Sequence, residues 1–129
     1  MQHVCALRGQ TAIHSRSSVL DGNSFLICCA DSIFCLTLPD LNLDWITKAD
    51  HATCFGIYKY QESYIVHGEL EITRLDKRGR KIWQFSGSDI FTTATGQGDF
   101  KLNGNIIEVI NWNSIKFTID AQTGKYINS

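Results

Sequence analysis

Glu69 and Glu71 come nearest to a catalytic pair in this chain. Two apart on an alternating strand, they would share a face, the arrangement two carboxylates need to divide acid and base roles about one substrate. A small hydrolase or sugar-processing enzyme would be their chemistry. Arg74, Lys77, Arg78, Arg80 and Lys81 follow at once, however, so a solvated, charge-balanced strand face and turn is the favoured reading. No serine elbow between glycines, phosphate loop with its lysine, or zinc-protease helix accompanies them, and no catalytic centre is expected.

Metal and cofactor chemistry find equally little support in the residues. His51 and Cys54 have the gap of a zinc pair but supply only half a site, with no second Cys or His pair to complete it. Cys28, Cys29 and Cys35 fall in apolar strand-like runs where neighbours point to opposite faces, so packing is the expected role. Thr95-Gly96-Gln97-Gly98 lacks the strand and helix that a nucleotide loop requires, and is read as a flexible loop. No metal and no cofactor is expected.

Three features speak for binding. The turn carrying Lys77, Arg78, Arg80 and Lys81 is the strongest local charge in the sequence and would meet an acidic patch on another protein. Trp112, between Asn111 and Asn113, sets an indole at a tight turn, where it gains little unless it packs against a neighbouring unit or binds a partner. Tyr58, Tyr60, Tyr64 and Trp83 could line an aromatic pocket, which would make a small-ligand-binding β domain.

The 129 residues fit one domain with a core of its own. Twelve basic residues against thirteen acidic ones give a net charge of -1, which draws the chain to neither nucleic acid nor anionic lipid. The first residues lack a basic and apolar leader, and no apolar run approaches the roughly 18 residues of a membrane span. Five cysteines, an odd number, are read as reduced thiols in a cytoplasmic protein.

The elements that would position these residues are strands. Gly, Asn, Asp and Ser punctuate the chain at short intervals, and apolar side chains alternate in Ile33 to Leu38, Glu69 to Leu75 and Ile115 to Ile119. The second strand of the first unit, Phe25 to Cys29, and that of the third, Ile106 to Ile110, are nearly continuous apolar runs, as in strands buried between sheets. The pattern recurs three times, in units of about 15–47, 54–85 and 98–128. From Asp21 to Gln61 is 40 positions and from Gln61 to Asn103 is 42, a period that falls among those of four-stranded propeller blades.

The turns Leu75 to Trp83 and Ile119 to Ile127 resemble the blade motif of quinoprotein-like (PQQ-type) β-propellers. In that family an Asp and a Gly shape the turn between the third and fourth strands, and a Trp further on packs between blades. The matching positions are Asp76, Gly79 and Trp83, then Asp120, Thr123 and Gly124; the first unit keeps Trp45, with Pro39 and Asn42 in the places of the Asp and the Gly. The third unit lacks the Trp near Asn128.

The expectation is an all-β chain of three four-stranded antiparallel propeller-like units, with a compact β-barrel or sandwich in one chain as the alternative. Its function is expected to be a non-catalytic protein-interaction or scaffold module. The partner would be another protein or a second copy, two chains closing a six-bladed ring, with Val4 to Ile13 supplying a latch strand.

Overall fold

The structure, a computed structural model, describes residues 17–93 and 99–127. The latch strand expected over Val4 to Ile13 and the glycines of Thr95 to Gly98 lie outside them.

Three antiparallel four-stranded meanders follow one another along the chain. The first comprises β1 (Ser18–Asp21), β2 (Ser24–Cys29), β3 (Ser32–Thr37) and β4 (Asn42–Lys48). The second holds β5 (Cys54–Tyr60), β6 (Ser63–Gly68), β7 (Glu71–Leu75) and β8 (Lys81–Ser86), and the third β9 (Phe100–Asn103), β10 (Ile106–Ile110), β11 (Lys116–Asp120) and β12 (Tyr126–Ile127). Within each sheet every strand pairs with its neighbours in sequence. Among the described residues no helix is long and apolar enough to cross a membrane.

Period-two alternation gives each sheet two faces, and the cores lie between sheets rather than within a barrel. Between the first and second sheets, Leu26, Cys28, Ile33 and Cys35 meet Ile57, Tyr64, Val66 and Leu75. Between the second and third, Tyr60, Ile65 and Ile72 meet Phe100, Ile107, Val109 and Ile119. The middle strand β6 is buried along its whole length because it has a sheet on either side. The outer strands β4 and β8 alternate between exposed and half-buried positions, as edges in water should.

Register shows how the outward faces differ. Leu26, Ile65 and Glu108 occupy one position, each beside the last residue before the apolar end of the third strand: Cys35, Arg74 and Thr118. The first two fill seams between sheets. Glu108 instead forms an ion pair with Lys116 at 3.3 Å on the outward face of the third sheet, so the series ends there in charge. The outward face of the first sheet is apolar, with Leu20 65% and Ile46 46% exposed.

Cys28, Cys35 and Cys54 are free and buried in the first seam, as read from the sequence. Cys29 is disulfide-bonded, which corrects the expectation of reduced thiols throughout. It lies next to Cys28 on β2 and so points to the opposite face, away from the seam that holds the three free thiols. Burial pushes the Cys28 thiol up to about 12 and raises those of Cys54 and Cys35 as well. These three thiols will therefore resist alkylation at pH 8 in the folded chain and react within minutes in guanidinium, a contrast that timed mass spectrometry reads directly. Rapid native labelling would contradict the seam.

Candidate interaction surfaces

Each seam is closed by the same contact. The Trp45 indole N–H of the first sheet donates to the Lys77 carbonyl at 3.0 Å, and that of Trp83 donates to the Ala121 carbonyl at 3.0 Å. Lys77 and Ala121 each follow the aspartate of the next β3–β4-type turn. Asp76 Oδ1 accepts the N–H groups of Arg78 and Arg80, and Asp120 Oδ1 accepts that of Gln122, which folds each turn tightly. Gly79 (φ 80°) and Gly124 (φ 76°) then lie flat beneath the indoles, where a Cβ would overlap the ring. The motif residues Asp76, Gly79, Trp83, Asp120, Gly124 and Trp45 thus act between sheets, each Trp on the turn of the sheet after it.

In the first turn the left-handed residue is Leu41, at φ 58°, rather than the Asn42 expected from the sequence. The difference is one residue and follows from register, since Leu43 pairs with Leu36 as Lys81 pairs with Leu75. Leu41 therefore takes the place of Gly79 and Gly124, with its side chain exposed.

The basic turn is partly spent on the fold. Lys77 Nζ lies 2.8 Å from Asp21 Oδ2 and 3.6 Å from Glu62 Oε1, while Lys59 Nζ approaches Asp21 Oδ1 at 3.3 Å. The buried Tyr64 hydroxyl donates to the same Asp21 carboxylate at 2.7 Å. The Lys77 hydrogen bond, then that of Tyr64, hold the Asp21 carboxyl far below the usual range against the opposing effect of burial. Burial, with Asp21 as hydrogen-bond acceptor, raises the Tyr64 phenol. Arg78, Arg80 and Lys81 remain exposed at the turn.

A depressed carboxyl stabilises the folded chain above its unfolded pKa of about 3.9, and that contribution fades as pH falls below it. Urea midpoints of the wild type and Asp21→Asn should therefore differ at pH 6, and the gap should narrow steadily as pH falls below about 4. A constant gap would remove Asp21 from the account.

At the opposite end of the strands a second set of loops is laced together. The Glu69 carbonyl accepts the Phe91 N–H at 2.7 Å, and the Ile90 carbonyl accepts the Trp112 N–H at 2.8 Å. Fully buried Asn111 holds the 111–115 turn, its Oδ1 accepting from Asn113 and Ile115 at 2.9 Å each. Asp50, 2% exposed, accepts four backbone N–H groups: Leu70 and Glu71 on Oδ1, Ala52 and Thr53 on Oδ2. Sequence reasoning missed Asp50, Asn111, Asp21 and Tyr64 as organising residues. A short polar residue beside a turn was the available signal, but Asp21 and Tyr64 find each other 43 positions apart, and two of Asp50's four partners, Leu70 and Glu71, lie 20 and 21 positions away.

Trp112 is 52% exposed, so about half of the indole meets water. The indole faces water because the turn that carries it is anchored by its own backbone and by Asn111. Glu69 and Glu71 do not share a strand face. β7 begins at Glu71, and the Asp50 clasp on Leu70 and Glu71 keeps Glu69 in the preceding turn. Glu71 Oε2 accepts from Ser86 Oγ at 3.1 Å and lies 3.8 Å from His51 Nε2. His51 is exposed in that loop, whereas Cys54 is buried in the first seam. Among the described residues no group of three or more His, Cys, Asp or Glu side chains is placed to hold a metal.

The four aromatic residues do not make one pocket. Tyr64 belongs to the first seam, and Tyr58, Tyr60 and Trp83 to the second. An open groove of about 230 Å³ lies instead along β9, lined by Tyr58, Phe100, Lys101, Leu102 and Asn103.

Sheets of four meandering strands, stacked face to face in series and clipped at each seam, are propeller blades. By structure the chain is similar to the computationally designed Ika4 protein, at 10% identity and a TM-score of 0.70 over 93% of this chain and 76% of that one. It is also similar to the WD40 β-propeller domain of Doa1, at 10% identity and a TM-score of 0.62 over 86% and 37%. The quinohemoprotein alcohol dehydrogenase of Comamonas testosteroni matches at 13% identity and a TM-score of 0.69 over 90% and 20%. The chain thus spans between a fifth and two fifths of these two natural proteins. No family model matches the sequence, and no curated protein matches it. The likeness is one of fold, shared by WD40 and quinoprotein propellers alike.

Proposed function

We propose that this chain is a non-catalytic protein-interaction module, binding through turns held at fixed places on a propeller framework. The carrying observation is the contrast within those turns: their backbones are tied by Asp76, Asp50 and Asn111, while Arg78, Arg80, Lys81 and Trp112 project into water. Rigid turns bearing exposed charge and aromatic surface lose little entropy on binding. The likeness to WD40 domains fits this reading, and so does the position of Glu69 before β7 rather than on its face with Glu71.

Two surface variants test it, Trp112→Ser and the triple change Arg78→Glu, Arg80→Glu, Lys81→Glu. Each should leave the thermal midpoint within about 2 °C, since neither alters a buried contact. At least one should lose a protein that co-purifies with the wild type in quantitative capture. Identical recoveries from all three would sink the proposal.

A second copy as the partner is the other reading, favoured by the exposed Leu20 and Ile46 on the outward face of the first sheet. Closing a six-bladed ring would set that apolar face against the Glu108–Lys116 pair, at a desolvation cost. Light scattering decides between a mass of 14.5 kDa and twice that value.

A further inference from the structure

The loop end that carries Trp112 is both apolar and acidic. Leu70 is 37%, Trp112 52% and Ile115 47% exposed, and half-buried Ile90 lies among them. The backbone bonds from Phe91 to Glu69 and from Trp112 to Ile90 place these side chains on adjoining loops, in one strip. Carboxylates border it. Asp89 Oδ2 accepts from Asn113 Nδ2 at 2.8 Å beside the indole, Glu69 precedes Leu70, and Asp99 is tied to this end through its carbonyl, which accepts the Ile110 N–H at 2.9 Å. Lys116 is paired with Glu108 at 3.3 Å and Lys48 with Asp31 at 3.8 Å, which leaves Lys101 on β9, two residues from Asp99, as the exposed lysine nearest the strip.

We infer that this strip binds a linear segment of a partner protein carrying alternating basic and apolar side chains, with Trp112 as the anchor. The inference rests on the interaction-module reading and names the chemistry of one partner surface. An exposed, rigidly held indole offers large contact area at low entropic cost, and a rim of negative charge selects Lys and Arg on the segment that covers it. The same rim repels polyanions. The Arg78, Arg80 and Lys81 turn lies at the other end of the blades and does not dilute this field.

The probe is a fluorescein-labelled 12-residue peptide alternating Leu and Lys, followed by anisotropy against the full chain at 50 mM and 300 mM salt. Binding should weaken with salt, fall about tenfold or more in Trp112→Ser, and fall less, with a flatter salt dependence, in Glu69→Gln. A peptide with Ser in place of Leu, and one with Glu in place of Lys, should both bind at least tenfold more weakly. Equal affinity for the Ser peptide would make the contact one of charge alone, and an unchanged Trp112→Ser affinity or no binding by the wild type would equally overturn the inference.

Concentration-dependent growth in mass, abolished by Trp112→Ser and by Arg80→Glu alike, would give the strip to a second copy and would also overturn it. If the peptide fails while reversal of Arg78, Arg80 and Lys81 still abolishes capture, the interaction module stands and only this surface falls. If neither surface matters, both fall.

Discussion

Alanine at Gly124 will lower the unfolding free energy by about 2–4 kcal/mol, whereas alanine at Gly104 will cost only about 1 kcal/mol. Both glycines have positive φ, 76° and 58°, so both substitutions incur the strain of a left-handed L-residue. The difference is what a Cβ meets. Nothing lies within 4 Å of one added at Gly104, while one added at Gly124 overlaps the indole of Trp83. Trp83 cannot retreat without giving up its bond to the Ala121 carbonyl and its packing in the second seam. Gly79 under Trp45 should behave as Gly124 does, and Gly22, with open space around it, as Gly104 does. Urea unfolding of the four alanine variants gives the comparison, and equal costs across them would mean that the indoles do not rest where they are placed.

The second large effect is expected at Asp50. Asp50→Ala removes the acceptor of four backbone N–H groups in a site 2% exposed, and should cost about 3–4 kcal/mol. Asp31→Ala, which loses a partly exposed ion pair with Lys48 and a bond to Ser32 Oγ, should cost under about 1 kcal/mol. The damage at Asp50 will be local before it is global. Leu70 and Glu71 amides should lose hydrogen-exchange protection in the variant, because the clasp between the β4–β5 and β6–β7 loops is gone. Retained protection with an unchanged midpoint would assign those amides to other acceptors.

Much of the blade plan was legible from the chain because period-two alternation and turn residues are local signals. Ile106–Ile110 is a strand with the bounds read from sequence, and the Asp76 and Asp120 turns sit where the repeat put them. Errors fell where a long-range contact overrides the local pattern. The alternation of Glu69 and Glu71 looked continuous, but Asp50, about 20 positions earlier, captures Leu70 and Glu71 and ends the strand between them. In the sequence Asn42 stands in the glycine's place, and register alone shows that Leu41 fills that role. Trp112 leaves packing and binding both open in the sequence, and nothing local reveals that the buried Asn111 ties its turn with the indole 52% exposed. The site was less legible than the fold, since exposure depends on how neighbouring blades cover one another.

The central claim is that the blades are clipped in series by an indole on the next blade's glycine turn, and that these clips hold the binding turns in place. A double-mutant cycle between Trp83→Leu and Gly124→Ala tests it most directly. With the indole removed, alanine at 124 should cost only its backbone strain, giving a coupling of at least about 1 kcal/mol, while Trp45→Leu with Gly124→Ala should be additive to within about 0.5 kcal/mol. Additivity in the Trp83–Gly124 cycle would contradict the clip, and with it the fixed placement of the turns on which the proposed function depends.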